Sequence, residues 1–186
     1  MVRKLFATTA VVALVAGLSF AAEIVSGPQT GETLPGPFQP LNINGKSAGE
    51  KNCLYCENGN NPVVMIFARN ADCPMTQKLI KQVDAAVAKN EKCSMGSFVV
   101  FCTDDSTTEP KLKALVEKEK YKKVVLSLDS PAGPNKYKFS KDADVTVVLY
   151  TERTVKANHS FKAGEIKDAN IEAVIKDLSK ITPSGK

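Results

Sequence analysis

The sequence predicts a three-layer α/β domain built on a mixed sheet. Two patterns lead there. Continuous apolar runs of strand length alternate with segments whose apolar residues recur at helical spacing. Near the end, two strand-like runs follow one another directly and a helical segment closes the chain. Alternation of strand and helix implies parallel strands with helical crossovers, and the late hairpin adds antiparallel strands to the same sheet.

The first 21 residues stand apart. Arg3 and Lys4 give a positive start, and Leu5 to Leu18 is uncharged and apolar except for Thr8 and Thr9. Ser19-Phe20-Ala21 then places small residues where a signal peptidase cuts. The apolar run, about 14 residues, is short of the roughly 20 that a spanning helix needs. Residues 1–21 are therefore expected to be a cleavable signal peptide, and the product to be secreted or periplasmic. No membrane contact is expected after cleavage.

An arm follows, over residues 22–61. Glu23 to Pro40 is rich in Gly and Pro and reads as extended chain with turns. Asn44-Gly45 is a hairpin-turn signal. Lys46 to Asn61 is polar, carries Cys53-Leu54-Tyr55-Cys56, and reads as a loop.

The regular domain is expected over residues 62–182. Val63 to Phe67 is a continuous apolar run, as in a strand buried on both faces. Pro74 to Lys89 is helical: Met75, Leu79, Ile80, Val83 and Val87 form one stripe, with Lys78, Lys81 and Asp84 facing away. Phe98 to Cys102 is the next buried strand. Thr108 and Glu109 open a second helix with Pro110 in its first turn and Leu112, Leu115 and Val116 inward. Val124 to Leu128 is a third strand. After a Pro/Gly loop, Val145 to Tyr150 and Thr154 to Phe161 form strands joined at Thr151-Glu152-Arg153. Asp168 is expected to cap a last helix with Ile171, Val174, Ile175 and Leu178 on one face. The first strand–helix–strand unit must cross over right-handed.

Composition narrows the function. The formal net charge is +5, and the lysines are spread out without a dense run or interleaved aromatics. That argues against nucleic acid as a partner. Five cysteines are present: Cys53, Cys56, Cys73, Cys93 and Cys102. In an oxidising compartment disulfides persist, and an odd number leaves at least one thiol over.

Three stretches resemble the thioredoxin superfamily, and within it the redoxin and alkyl-hydroperoxide-reductase/thiol-specific-antioxidant branch. The first is Gly31 to Phe38 (GETLPGPF) followed by Leu41 to Gly45 (LNING), similar to an N-terminal hairpin of that branch. The second is Pro62 to Phe67 (PVVMIF) followed by Asp72-Cys73-Pro74, similar to the first core strand and the catalytic cysteine at the next helix start. The third is Leu126 to Asp129 (LSLD), Tyr137, and Val145 to Tyr150 (VTVVLY). The resemblance implies a thioredoxin-like sandwich with helices on both faces of a mixed sheet, and thiol chemistry that calls for no cofactor. The chain departs from the pattern in three places. Thr76 stands where thioredoxins carry the second cysteine. Val145 stands near the usual cis-proline. Phe67 to Asp72 lacks the Pro and Thr that precede a peroxiredoxin's cysteine.

Cys73 is the candidate nucleophile. With Pro74 suited to the first helical position, Cys73 becomes the N-cap, where unpaired N–H groups and the helix dipole favour a thiolate. Asp72 opposes that effect. Thr76 can offer its hydroxyl to the sulfur, and Arg69 a positive charge. Cys102 ends the neighbouring strand and should share Cys73's edge of the sheet, as a resolving thiol or as a buried core residue. Cys53, Cys56 and Cys93 all precede strands and should gather at the other edge. For Cys53 and Cys56 three readings stand open: a local structural disulfide, a second redox pair, or half of a metal site with Cys93. His159 has no nucleophile to serve.

Two functions follow. One is an exported thiol–disulfide oxidoreductase or peroxidase-like enzyme acting through Cys73 on a thiol/disulfide protein or a peroxide. The other is a non-catalytic thioredoxin-like binding module stapled by disulfides.

Overall fold

The computed structural model describes residues 24–182. The leader therefore lies outside the described residues. Six strands form one sheet in the order β1-β4-β3-β2-β5-β6. They are β1 (Leu41–Asn42), β2 (Val63–Ala68), β3 (Gly96–Cys102), β4 (Val124–Asp129), β5 (Val145–Thr151) and β6 (Thr154–Phe161). The helices are α1 (Leu54–Asn58), α2 (Pro74–Lys89), α3 (Thr108–Glu119) and α4 (Asp168–Asp177). β2, β3 and β4 run parallel, and β5 pairs antiparallel with β2 on its other side.

The apolar runs account for this order. Every residue of β2 is buried, because strands flank it and chain covers both its faces. From β2 the chain steps to β3 and then β4 in one direction. Two right-handed crossovers in the same direction place α2 and α3 on the same face. α4 joins them, so Leu79, Ile80, Val83, Leu112, Ile171 and Val174 share one core with Val64, Ile66, Val99 and Phe101. Full burial of each large aliphatic side chain contributes about 1.5–3 kcal/mol.

The other face is covered by chain and one short helix. Met65, Phe67, Phe98 and Val100 point there, against Leu34, Leu54, Tyr55 and Tyr137. The arm begins beside β5 and β6, where the Thr146 hydroxyl donates to Ser26 Oγ (2.8 Å). It then runs along β6, with Gly31 N–H donating to the Val155 carbonyl and Leu34 N–H to that of Arg153. It crosses the aromatic face through Leu34 and Phe38 and ends as β1 on the far edge against β4. Gly27 has φ +73°, and a Cβ there would lie 2.7 Å from Phe139, so the close approach needs a glycine. The segment from Ser130 to Asp144 returns over this same face from β4 to β5.

Three local expectations are corrected. Asp84 does not face solvent: it is buried, and its carboxylate accepts the N–H groups of Lys122, Lys123 and Val124 at 2.7–3.1 Å. It ties α2 to the start of β4. Asn44-Gly45 is not a two-residue hairpin. Asn44 instead extends the edge pairing of β1, its amide donating to the Val124 carbonyl and accepting Leu126 N–H. Asp168 is the first helical residue rather than the cap of α4. Lys167 is the cap, and Asn170 Oδ1 accepts its N–H at 2.9 Å.

Removing the Asp84 carboxylate leaves three strand-end donors without a partner. Asp84→Ala is expected to lower unfolding stability by about 1–3 kcal/mol. Lys81→Ala, which loses only an exposed ion pair with Glu119, should cost less than about 1 kcal/mol. Urea midpoints of the two variants check the contrast.

Candidate functional site

The carboxyl ends of the parallel strands form the edge where α/β proteins assemble sites, at the point where successive connections leave in opposite directions. Here that point is the end of β2, with β3 on one side and β5 on the other. Arg69 to Cys73 leads from β2 into α2. Cys73 is the N-cap of α2, with extended backbone, Pro74 in the first turn and no hydrogen bond from the helix to its side chain. Its thiol is free and partly exposed. Gln77 braces the approach: its N–H donates to the Cys73 carbonyl, and its side chain donates to that of Ala71.

The neighbours differ from expectation. The Asp72 carboxylate is paired with Lys111 Nζ from α3 at 2.7 Å, so its charge does not face Cys73 alone. The same contact pushes the Lys111 pKa up. Thr76 is fully buried, and its hydroxyl has no hydrogen-bond partner, the Cys73 sulfur included. Thr76 is thus enclosed in the first turn of α2, behind the Cys73 cap. Arg69 turns to the return segment, where Nε donates to the Ala143 carbonyl, Nη1 to Pro131 and Nη2 to Ser140.

Cys102 ends β3 at the same edge, but on the other face. Phe98, Val100 and Cys102 alternate toward the aromatic side, whereas α2 packs on the opposite one. Cys102 as a residue is 6% exposed. Gly133 closes over it, since a Cβ there would be 3.4 Å from Sγ. The gap lined by Arg69, Cys102, Phe139 and Asp144 is only about 10 Å³, room for no more than a water. Burial, seconded by the Asp129 charge and opposed by Arg69, pushes the Cys102 thiol up to about 12. Asp144, beside the same guanidinium, also has its pKa raised by burial. This environment is the one that the buried-core reading of Cys102 calls for.

Cys53 and Cys56 are joined in a disulfide. Both are spent by that bond, and Cys93 packs against the other face with its thiol donating to the Asn90 carbonyl. The metal reading of these three is thereby corrected. Among the described residues, no group of three or more His, Cys, Asp or Glu is placed to hold a metal ion. The loop expectation is corrected too, because Cys53 caps the one-turn helix α1. His159 pairs with Asp177 at 3.0 Å, away from every cysteine.

These features define a thioredoxin-like fold with one partly exposed thiol at its main edge. The chain superposes on a protein of Bacteroides thetaiotaomicron described as a protein disulfide isomerase, with TM-score 0.64 and 14% identity, covering 87% of this chain and 96% of that one. It superposes on the peroxidoxin BcpB of Mycobacterium tuberculosis with TM-score 0.59 and 18% identity, covering 82% and 97%. A secreted disulfide oxidoreductase of the same organism gives 0.53 and 11%, covering 76% and 94%. At these identities the likeness is one of fold. No family model matches the chain. No curated protein sequence matches it either.

The two edge thiols should label differently. At pH 8 iodoacetamide is expected to modify Cys73 at least about tenfold faster than Cys102. A thiol raised to about 12 is almost wholly protonated there, so Cys102 labelling should still be rising above pH 9. Peptide mapping by mass spectrometry reads both rates.

Proposed function

We propose that this protein is an exported thiol–disulfide oxidoreductase that works through Cys73 and takes its second thiol from outside. The carrying observation is the placement of Cys73: a free, accessible sulfur at the N-cap of a 16-residue helix, on the sheet edge where sites form. The Cys73 thiolate attacks one sulfur of a partner's disulfide, and the other sulfur leaves as a thiolate. The resulting mixed disulfide is resolved by an external thiol, because Cys102 is buried on the other face. The substrate class is a protein or peptide disulfide in the exported compartment. Peroxide is the less favoured substrate, since three of the five Arg69 donors are held by backbone carbonyls of the return segment. The leader, the internal disulfide and fold relatives that include a secreted oxidoreductase all support export. No helix among the described residues is long and apolar enough to cross a membrane.

Steady-state reduction of an aromatic disulfide in the presence of a small thiol tests this. Cys73→Ser should lose at least about a hundredfold in rate, while Cys102→Ser retains activity within about threefold. Equal rates for the parent and Cys73→Ser would favour the binding module instead.

A further inference from the structure

The Cys53–Cys56 bond lies at the opposite edge of the sheet from Cys73, since α1 precedes β2 and α2 follows it. Its two sulfurs have unlike surroundings. Cys53 is buried at 7% exposure among Leu54, Tyr55 and Val63, and its sulfur accepts the Cys56 N–H at 3.1 Å. Cys56 is exposed.

As a staple, the bond joins little. It spans a separation of 3 within one helical turn. That turn already has its own hydrogen bonds, Cys56 N–H and Glu57 N–H both donating to the Cys53 carbonyl. Disulfide stabilisation grows with the length of the loop closed, and this loop is nearly the shortest available. α1 is anchored without it: Leu54 and Tyr55 are buried, and Arg153 stacks on the Tyr55 ring at 5.0 Å. A disulfide that connects no two elements, with one open sulfur and one sheltered sulfur holding a donor, has the layout of an exchangeable bond.

We infer that Cys53–Cys56 is a second redox site, reduced by an external thiol that attacks Cys56 and expels Cys53. The thiolate approaches in line with the S–S bond, and Cys56 is the sulfur open to it. A bond forms between the incoming sulfur and Cys56 Sγ as the Cys53–Cys56 bond breaks. The electron pair goes to Cys53 Sγ, where the Cys56 N–H already points. A second thiolate then attacks the incoming sulfur and releases Cys56. Two external thiols are oxidised to one disulfide, two electrons reduce the protein, and two protons end on Cys53 and Cys56. The second cysteine in chain order is thus the electrophile.

The full protein, with every cysteine present, is exposed natively to a limiting amount of 2-mercaptoethanol, quenched in acid and mapped by mass spectrometry. The mixed disulfide should sit on Cys56 in at least about tenfold excess over Cys53. Complete reduction should leave the far-ultraviolet circular dichroism unchanged and move Tm by only a few degrees. Adduct mainly on Cys53, or reduction only at denaturant concentrations that unfold the protein, overturns the inference. The same measurement on Cys73→Ser separates this site from the proposed enzyme: unchanged adduct formation supports direct attack, and its loss would show that Cys73 delivers the electrons instead.

Discussion

Arg69 holds the molecule's most consequential contact. It stands one residue past β2 and spreads its guanidinium over the carbonyls of Pro131, Ser140 and Ala143. A planar fork with five donors suits that task, and lysine cannot reproduce it. The segment it holds must carry the chain from β4 across two strands, β3 and β2, to β5, and it contains little regular structure. Without a fixed point it would lie loosely on the sheet. With one, Tyr137 and Phe139 pack on Phe67, with ring centroids 6.1 and 4.0 Å away. Tyr137 in turn donates its hydroxyl to the Gly36 carbonyl, which fastens the arm.

The chemistry follows from that covering. The return segment seals Cys102 under Gly133 and leaves Cys73 as the open thiol of its edge. Two sulfur centres, close in the sequence, are kept apart by β2. Cys56 and Cys73 are near in number, yet β2 lies between them and carries one to each end of the sheet. The charged groups of the loop before Cys73 are engaged elsewhere: Asp72 with Lys111, Arg69 with backbone carbonyls. What remains at the Cys73 thiol is the helix terminus.

Much of this was legible in the sequence because it depends on periodicity. The limits of α2 and β6 agree with the apolar spacing, and Pro74 marked the helix start and with it the N-cap role of Cys73. The face of Cys102 was legible too, in the alternation of Phe98, Val100 and Cys102, but the edge was read and the face was not. Other features had no local signal. Asp84 looks like any charged residue on a helix until the strand end that needs its carboxylate is placed beside it. The one-turn helix α1 is too short to show a period, so its cap read as loop. Arg69's partners lie more than sixty positions away and are backbone atoms, which no side-chain pattern discloses.

The account turns on Arg69 sealing Cys102 while playing no part at Cys73. Native-state alkylation of Arg69→Ala, read peptide by peptide, tests that most directly. Cys102 should become modified at least about tenfold faster than in the parent, with Cys73 labelling unchanged. Cys102 as protected in the variant as in the parent would contradict it.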